Sequence, residues 1–243
     1  TSVIIVPLHH PVLLAKEASV VDAASGGRLT LGVGVGGEFP SEWDAVDVPL
    51  AKRGARTNES LGLMKRLWSE ENVTHDGSIF SCEGITLNPA TVQAGGPPIW
   101  VGGRAEPAMR RAVRYGSGWL PYLFRPSHYA RSYEAVGNLL ADAGRTTEGF
   151  GWGLHLMTAI EDTREKSVKL AAAGLRAGYR YDGDYEALAE RYCLLGPPQE
   201  AAQQLGEFEN AGAEDILLAW IAPDERLTEQ ITVAGTEILP LFR

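Results

Sequence analysis

The sequence predicts an α/β protein built as a parallel barrel, and three observations carry that expectation. Six short apolar segments alternate with helical ones, starting near Ser2, Leu29, Ile99, Gly118, Gly151 and Asp215. Glycines cluster at the C-terminal ends of two of those segments, and a turn-rich excursion interrupts the alternation around residues 71–98. Six strands are two fewer than an eightfold barrel needs and would also suit a doubly wound sheet. The excursion and the two glycine-ended strands favour the barrel.

Taken in order, Thr1 to Val6 reads as the interior of a buried strand, with no turn or cap before it. An upstream segment of on the order of 60 residues, about two βα units, is therefore expected. PLHHP (7–11) is a loop whose Pro11 opens a helix that ends near Gly26 and Gly27. Leu29 to Val35 is a strand without charge, followed by a loop at Glu38-Phe39-Pro40-Ser41-Glu42. Arg53 leads into a helix with Leu61, Leu63, Met64, Leu67 and Trp68 facing the core. The excursion then holds a hairpin: Val73 to His75, an Asp76-Gly77 turn, and Ile79 to Cys82. Ile99 to Val101 is a strand and Glu106 starts a helix. Gly118 begins a short strand, Ser127 to Ala143 is a helix, and Gly151 to Ile160 is a strand. Asp162 to Ala177 reads as helix, Gly178 to Tyr192 as a polar tyrosine-rich passage, and Gln199 to Asn210 as helix. Asp215 to Trp220 is the last strand and Thr228 to Phe242 the closing helix.

Composition sets limits. At 243 residues with 44% hydrophobic side chains, the chain suits one large domain spanning residues 1–243. A net charge of -9 argues against nucleic acid and against an anionic membrane surface, while leaving room for a local phosphate site. Cys82 and Cys193 are isolated, so neither a disulfide framework nor zinc is indicated, and a cytoplasmic location is the default. No apolar run is long enough for a membrane span.

The stretch GRLTLGVGVGG (27–37) is the centre of the functional reading. Gly32, Gly34 and Gly37 satisfy G-x-G-x-x-G, yet the following Glu38-Phe39-Pro40 does not start a helix on the glycines, so a dinucleotide turn is not indicated. Glycines at the end of a parallel strand instead leave backbone open to a flat ligand; relief of crowding accounts for one or two of them. A second cluster, Gly102-Gly103-Arg104, precedes a helix whose free amides, with the guanidinium, would suit an anion. An ordinary ion pair of Arg104 with Glu106 competes. Glu38 is a candidate general acid, against plain solvent exposure. His9 and His10 could reach a ligand, or His10 could order the loop before Pro11. His75, His128 and His155 are scattered and suggest no metal. Trp68 and Trp220 read as core, and Trp119 as either packing or ring stacking.

The order and spacing of TSVIIVPLHHPVLLA (1–15), SGGRLTLGVGVGG (25–37), RGARTNE (53–59), LNPATVQAGGPPIWVGG (87–103), GSGW (116–119) and GPPQE (196–200) resemble the luciferase-like monooxygenase superfamily. Within it the chain looks most like the oxidoreductases dependent on coenzyme F420, with FMN as the alternative cofactor. The resemblance implies a (β/α)8 TIM-type barrel lacking its first two βα units here, and a homodimer. It implies cofactor contacts from Ser2, Val3, Gly34, Val35, Gly36, Gly102, Gly103 and Arg104, with a non-prolyl cis peptide between Ser2 and Val3 beneath the ring. A histidine that the family often carries on its second strand is not in this sequence, and Gly37 intervenes where sugar-phosphate dehydrogenases of the group have glutamate directly after G-x-G. The function expected is hydride transfer between deazaflavin or flavin and a small organic substrate; a non-catalytic flavin binder, an FMN-dependent monooxygenase and an unrelated phosphate-binding barrel remain as alternatives.

Overall fold

The computed structural model describes residues 1–179 and 182–242, which form two compact units. The first comprises Thr1–Leu120 and Leu139–Gly151; the second comprises Pro121–Asn138 and Trp152–Arg243.

In the first unit the chain runs β1 (Ile4–Ile5), α1 (Pro11–Ser25), β2 (Leu31–Gly34), α2 (Pro40–Asp44), α3 (Arg53–Ser69), β3 (Val73–Asp76), β4 (Ser81–Ile85), β5 (Ile99–Gly102), α4 (Glu106–Tyr115) and β6 (Gly118–Leu120). Strands β1, β2, β5 and β6 pair in that order, all parallel. Val33, Val101 and Trp119 stand in register across three of them, and each is at most 1% exposed. The β-branched, uncharged character of β2 and β5 is what a strand covered on both faces requires. Leu61, Leu63, Met64 and Leu67 of α3 supply the expected apolar stripe, each at most 2% exposed. Helix α1 begins at Pro11, whose ring presets the helical φ, and ends at Gly26 in the left-handed conformation (φ 65).

The second unit holds most of α5 (Pro126–Asp142), then β7 (Gly151–Ile160), α6 (Arg164–Gly178), α7 (Tyr185–Tyr192), β8 (Leu194–Gly196), α8 (Pro198–Asn210), β9 (Asp215–Trp220) and α9 (Asp224–Val233). Strand β7 pairs in parallel with β9 through Gly153 to Thr158 and with β8 through Thr158 to Ile160. Met157, Ala159 and Leu195 form a core with Val168, Ala171, Ala172 and Leu175 of α6 and with Tyr185 and Ala189 of α7.

Several expectations are corrected. The first strand starts at Ile4 rather than Ser2 and has two residues. Pro40 does end the extended loop, but as the first residue of the short helix α2. The passage from Gly178 contains α7, capped by Asp184, whose carboxylate accepts from Glu186 and Ala187 amides. Strand β8 was invisible as a period because it has three residues, and it brings the parallel strands among the described residues to seven. Ile79 and Phe80 belong to the hairpin turn, since Asp76 pairs with Ser81. The closing helix begins at Asp224, four residues earlier than expected, and Trp220 is only partly buried.

Candidate active site at the ends of β1, β2 and β5

The peptide between Ser2 and Val3 is cis, as the resemblance implied. The Val3 side chain lies against the glycines of β2 and β5: Cβ atoms added at Gly32, Gly34 and Gly102 would stand 3.4, 2.9 and 3.5 Å from its methyls. A Cβ at Gly36 would meet Ile5 at 2.6 Å, and one at Gly32 would overlap the Thr1 carbonyl oxygen at 2.1 Å. Crowding therefore accounts for more of these glycines than the sequence suggested, because Thr1, Val3 and Ile5 fill the space their missing side chains leave. Gly36 and Gly37 (φ 60 and 121) then turn the chain away, leaving Val35 half-buried and Glu38 exposed at the rim.

At the end of β5, Gly103 (φ 119) passes so close to α4 that a Cβ there would approach the Ala108 Cβ to 2.8 Å. The Trp119 indole donates to the Gly103 carbonyl at 2.9 Å and is itself fully buried, so Trp119 fastens this turn. Helix α4 has no side-chain cap at its start, and Pro107 removes one amide from its first turn. Glu106 pairs with Arg110 at 2.6 Å, one turn on, and so is engaged within its own helix. Exposed Arg104 precedes an uncapped helix start directly after two glycines. That donor set suits an anionic group such as a cofactor phosphate.

The histidines separate. His10 Nδ1 accepts from the Val12 amide at 3.3 Å, so His10 does order the start of α1. His75 meets Glu59 at 3.3 Å, and His128 stacks on Phe124 at 4.3 Å. His155 Nδ1 is buried without a hydrogen-bond partner, and burial lowers the His155 pKa. No group of three or more metal-ligating side chains occurs among the described residues, and no described helix is long and apolar enough to cross a membrane.

Glu59 is the residue that sequence reasoning missed. Its carboxylate accepts from the Phe80 amide (2.7 Å), the Ser78 hydroxyl (2.8 Å) and the Ile79 amide (3.1 Å). Burial on its own would raise its pKa, and these bonds hold it below the ordinary value. Its partners lie 16 to 21 residues away, so no local pattern announces it.

Residues 1–215 match the family described as luciferase-like monooxygenase. The chain belongs to that family. Among its luciferase-like relatives, the 4-hydroxyprotoasukamycin monooxygenase of Streptomyces nodosus subsp. asukaensis is 31% identical over 86% of this chain and 57% of the relative. The chain spans 63% of the length of the mycobacterial relatives, proteins of undescribed function that are 30% identical to it. Two solved luciferase-like structures share the fold. Monooxygenase RslO1 of Streptomyces bottropensis aligns with a TM-score of 0.85 at 22% identity, over the whole of this chain and 78% of that one. The coenzyme F420 dependent tetrahydromethanopterin reductase of Methanopyrus kandleri aligns with a TM-score of 0.83 at 16% identity, over the whole of this chain and 82% of that one. The fold is accordingly the α/β, parallel-stranded barrel of this family.

Proposed function

We propose that this chain belongs to an oxidoreductase that transfers a hydride between coenzyme F420 and a small organic substrate. The carrying observation is the turn from Gly102-Gly103 into an uncapped α4, with Arg104 at the turn, in the sheet where the Val3 side chain packs on Gly34 and Gly102. When bound, the deazaflavin would supply the hydride chemistry. The chain's own residues would bind and orient it: Arg104 and the amides at the start of α4 would hold its phosphate, and Ser2, Val3, Gly34, Val35 and Gly36 would line one face of the ring. Glu38, exposed on the loop after β2, would serve as the general acid. A single barrel domain over residues 1–243, a homodimer and a cytoplasmic setting complete the reading. Support for F420 comes from two proteins of the same fold, the coenzyme F420 dependent tetrahydromethanopterin reductase and an F420-dependent secondary alcohol dehydrogenase. FMN is the second reading, favoured by a Baeyer-Villiger monooxygenase of the same fold in complex with FMN.

Titration with F420 and with FMN tests the proposal. Arg104→Ala is expected to weaken binding of the true cofactor by roughly 1.5–3 kcal/mol, the range for a hydrogen bond to a charged group. Absence of binding by either ring system would refute the reading. Anaerobic mixing of reduced cofactor with candidate acceptors separates an enzyme from a binder, since a binder perturbs the spectrum and never turns over.

A further inference from the structure

Loops that follow parallel strands emerge at one edge of the sheet, so the Val6 to His10 segment after β1 neighbours the Gly36-Gly37-Glu38 turn after β2. Ile5 packing on Gly36 fixes that neighbourhood. Two residues one turn apart on α3 act here: Arg56 grips the β1 loop and Glu59 grips the hairpin turn beside it. Arg56 Nε donates to the Pro7 carbonyl at 3.1 Å, and its guanidinium lies 4.8 Å from the centre of the Phe80 ring. Phe80 is 7% exposed and meets the His10 ring edge-on at 5.4 Å. Glu59 pins Phe80 in turn by accepting its amide, with the bonds from Ile79, Ser78 and His75 fixing the rest of the hairpin turn. Gly77 lies tight against this grip, since a Cβ there would stand 2.2 Å from Glu59 Oε1 and 2.4 Å from His75 Nε2 and would push one of them aside. Because His10 Nδ1 accepts from Val12, the neutral ring carries its hydrogen on Nε2. That nitrogen donates to no group among the described residues, and His10 is exposed.

We propose that Glu59, Arg56 and Phe80 are positioning residues for the β1 loop, fixing the His10 imidazole at the rim of the site as an Nε2–H donor toward an acceptor oxygen of the substrate, a carbonyl or carboxylate. This rests on the oxidoreductase reading for the word substrate and on geometry for the rest. The alternative is that the network serves the hairpin alone. The two differ in what Glu59 does to His10, a residue it does not touch.

The test is nuclear magnetic resonance of the full chain at pH 8. In wild type, cross-relaxation between the His10 and Phe80 rings is expected, and acetate, used as the carboxylate probe, shifts the His10 ring resonances. In Glu59→Ala the ring-to-ring signal disappears and the acetate-induced shift falls by about threefold or more, although neither ring is altered. Arg56→Lys, a milder change that keeps the charge and loses the planar fork, gives the same loss at smaller size should Glu59→Ala fail to fold. Retention of both signals in the variants overturns the proposal, and so does a wild-type His10 that ignores acetate. Repeating the series with FMN or F420 added separates the readings: failure of both to bind refutes the oxidoreductase reading, while the acetate and ring signals still decide the clasp.

Discussion

Asp22 is fully buried on α1, and its carboxylate accepts from the Val92 amide (2.7 Å), the Gln93 amide (3.0 Å) and the Gln93 side chain (2.7 Å). Burial by itself would raise its pKa, and the bonds from Gln93 and Val92 bring it below the ordinary value. Asp22→Asn replaces one acceptor with a donor facing donors, so a loss of roughly 1–3 kcal/mol is expected in urea unfolding. Arg111 presents the opposite imbalance. It is 7% exposed, its Nε donates to the neutral Asn58 Oδ1 at 2.8 Å, and burial lowers its pKa. Asn58→Asp would set a carboxylate against this cation without changing the side chain's size. A gain on the order of 1 kcal/mol is expected at pH 7, the difference between neutral and charge-assisted hydrogen bonds. The new carboxyl would have a depressed folded pKa, so the gain should be present above about pH 4 and fade as pH falls further. An unchanged midpoint at pH 7 would count against it.

At the scale of elements, the excursion between α3 and β5 is strapped to α1 and α3, through Asp22 and Glu59 among others, and glycine is required at one of the contacts. Gly96 has φ 96, and a Cβ there would stand 2.2 Å from the Trp68 ring. That ring is 8% exposed and held by its own hydrogen bond to the Ala15 carbonyl at 3.0 Å, so it has little room to yield. Gly84 is a matched contrast, with φ 63 and open space around it. Gly84→Ala should cost about 1 kcal/mol, the penalty for a left-handed alanine. Gly96→Ala should add the overpacking cost and lose about 2–4 kcal/mol in all. Equal losses in thermal unfolding would show that the Trp68 contact carries no weight. The same contrast shows what was legible in the sequence. Long elements with a period, such as α1, α3 and β7, were read within two residues of their ends, and so were glycine-ended strands. What fails is short or non-local: β8 has too few residues for a period, and α2 begins at Pro40, a residue whose sequence signal is that of a breaker. The grip of Glu59 on the Ser78 to Phe80 turn joins residues about twenty apart in sequence. The candidate site was legible as a set of strand ends, while the packing of Val3 and Ile5 into the glycine positions was not, because it depends on register between strands.

At the scale of the whole molecule, the pH dependence of stability follows from which groups the fold holds away from their ordinary pKa. His155 on β7 is the group set to respond first on acidification. Burial favours its neutral form, its pKa is lowered, and its Nδ1 has no hydrogen-bond partner. Below the unfolded value of about 6.5, the unfolded chain binds a proton that the folded chain resists, so stability falls with pH from that point. Asp22 and Glu59 respond later. Their folded pKa values are depressed, so their contribution is complete above about pH 4 and is lost as pH falls through the folded values. The unfolding temperature is therefore expected to decline in two stages, a first below about pH 6.5 and a second below about pH 4. His155→Leu removes the titrating group at similar volume and should flatten the first stage while leaving the second in place. Glu59→Gln should reduce the second while leaving the first. A single transition near pH 4 in wild type, or a first stage that persists in His155→Leu, would show that another group governs the response between pH 5 and 6.5.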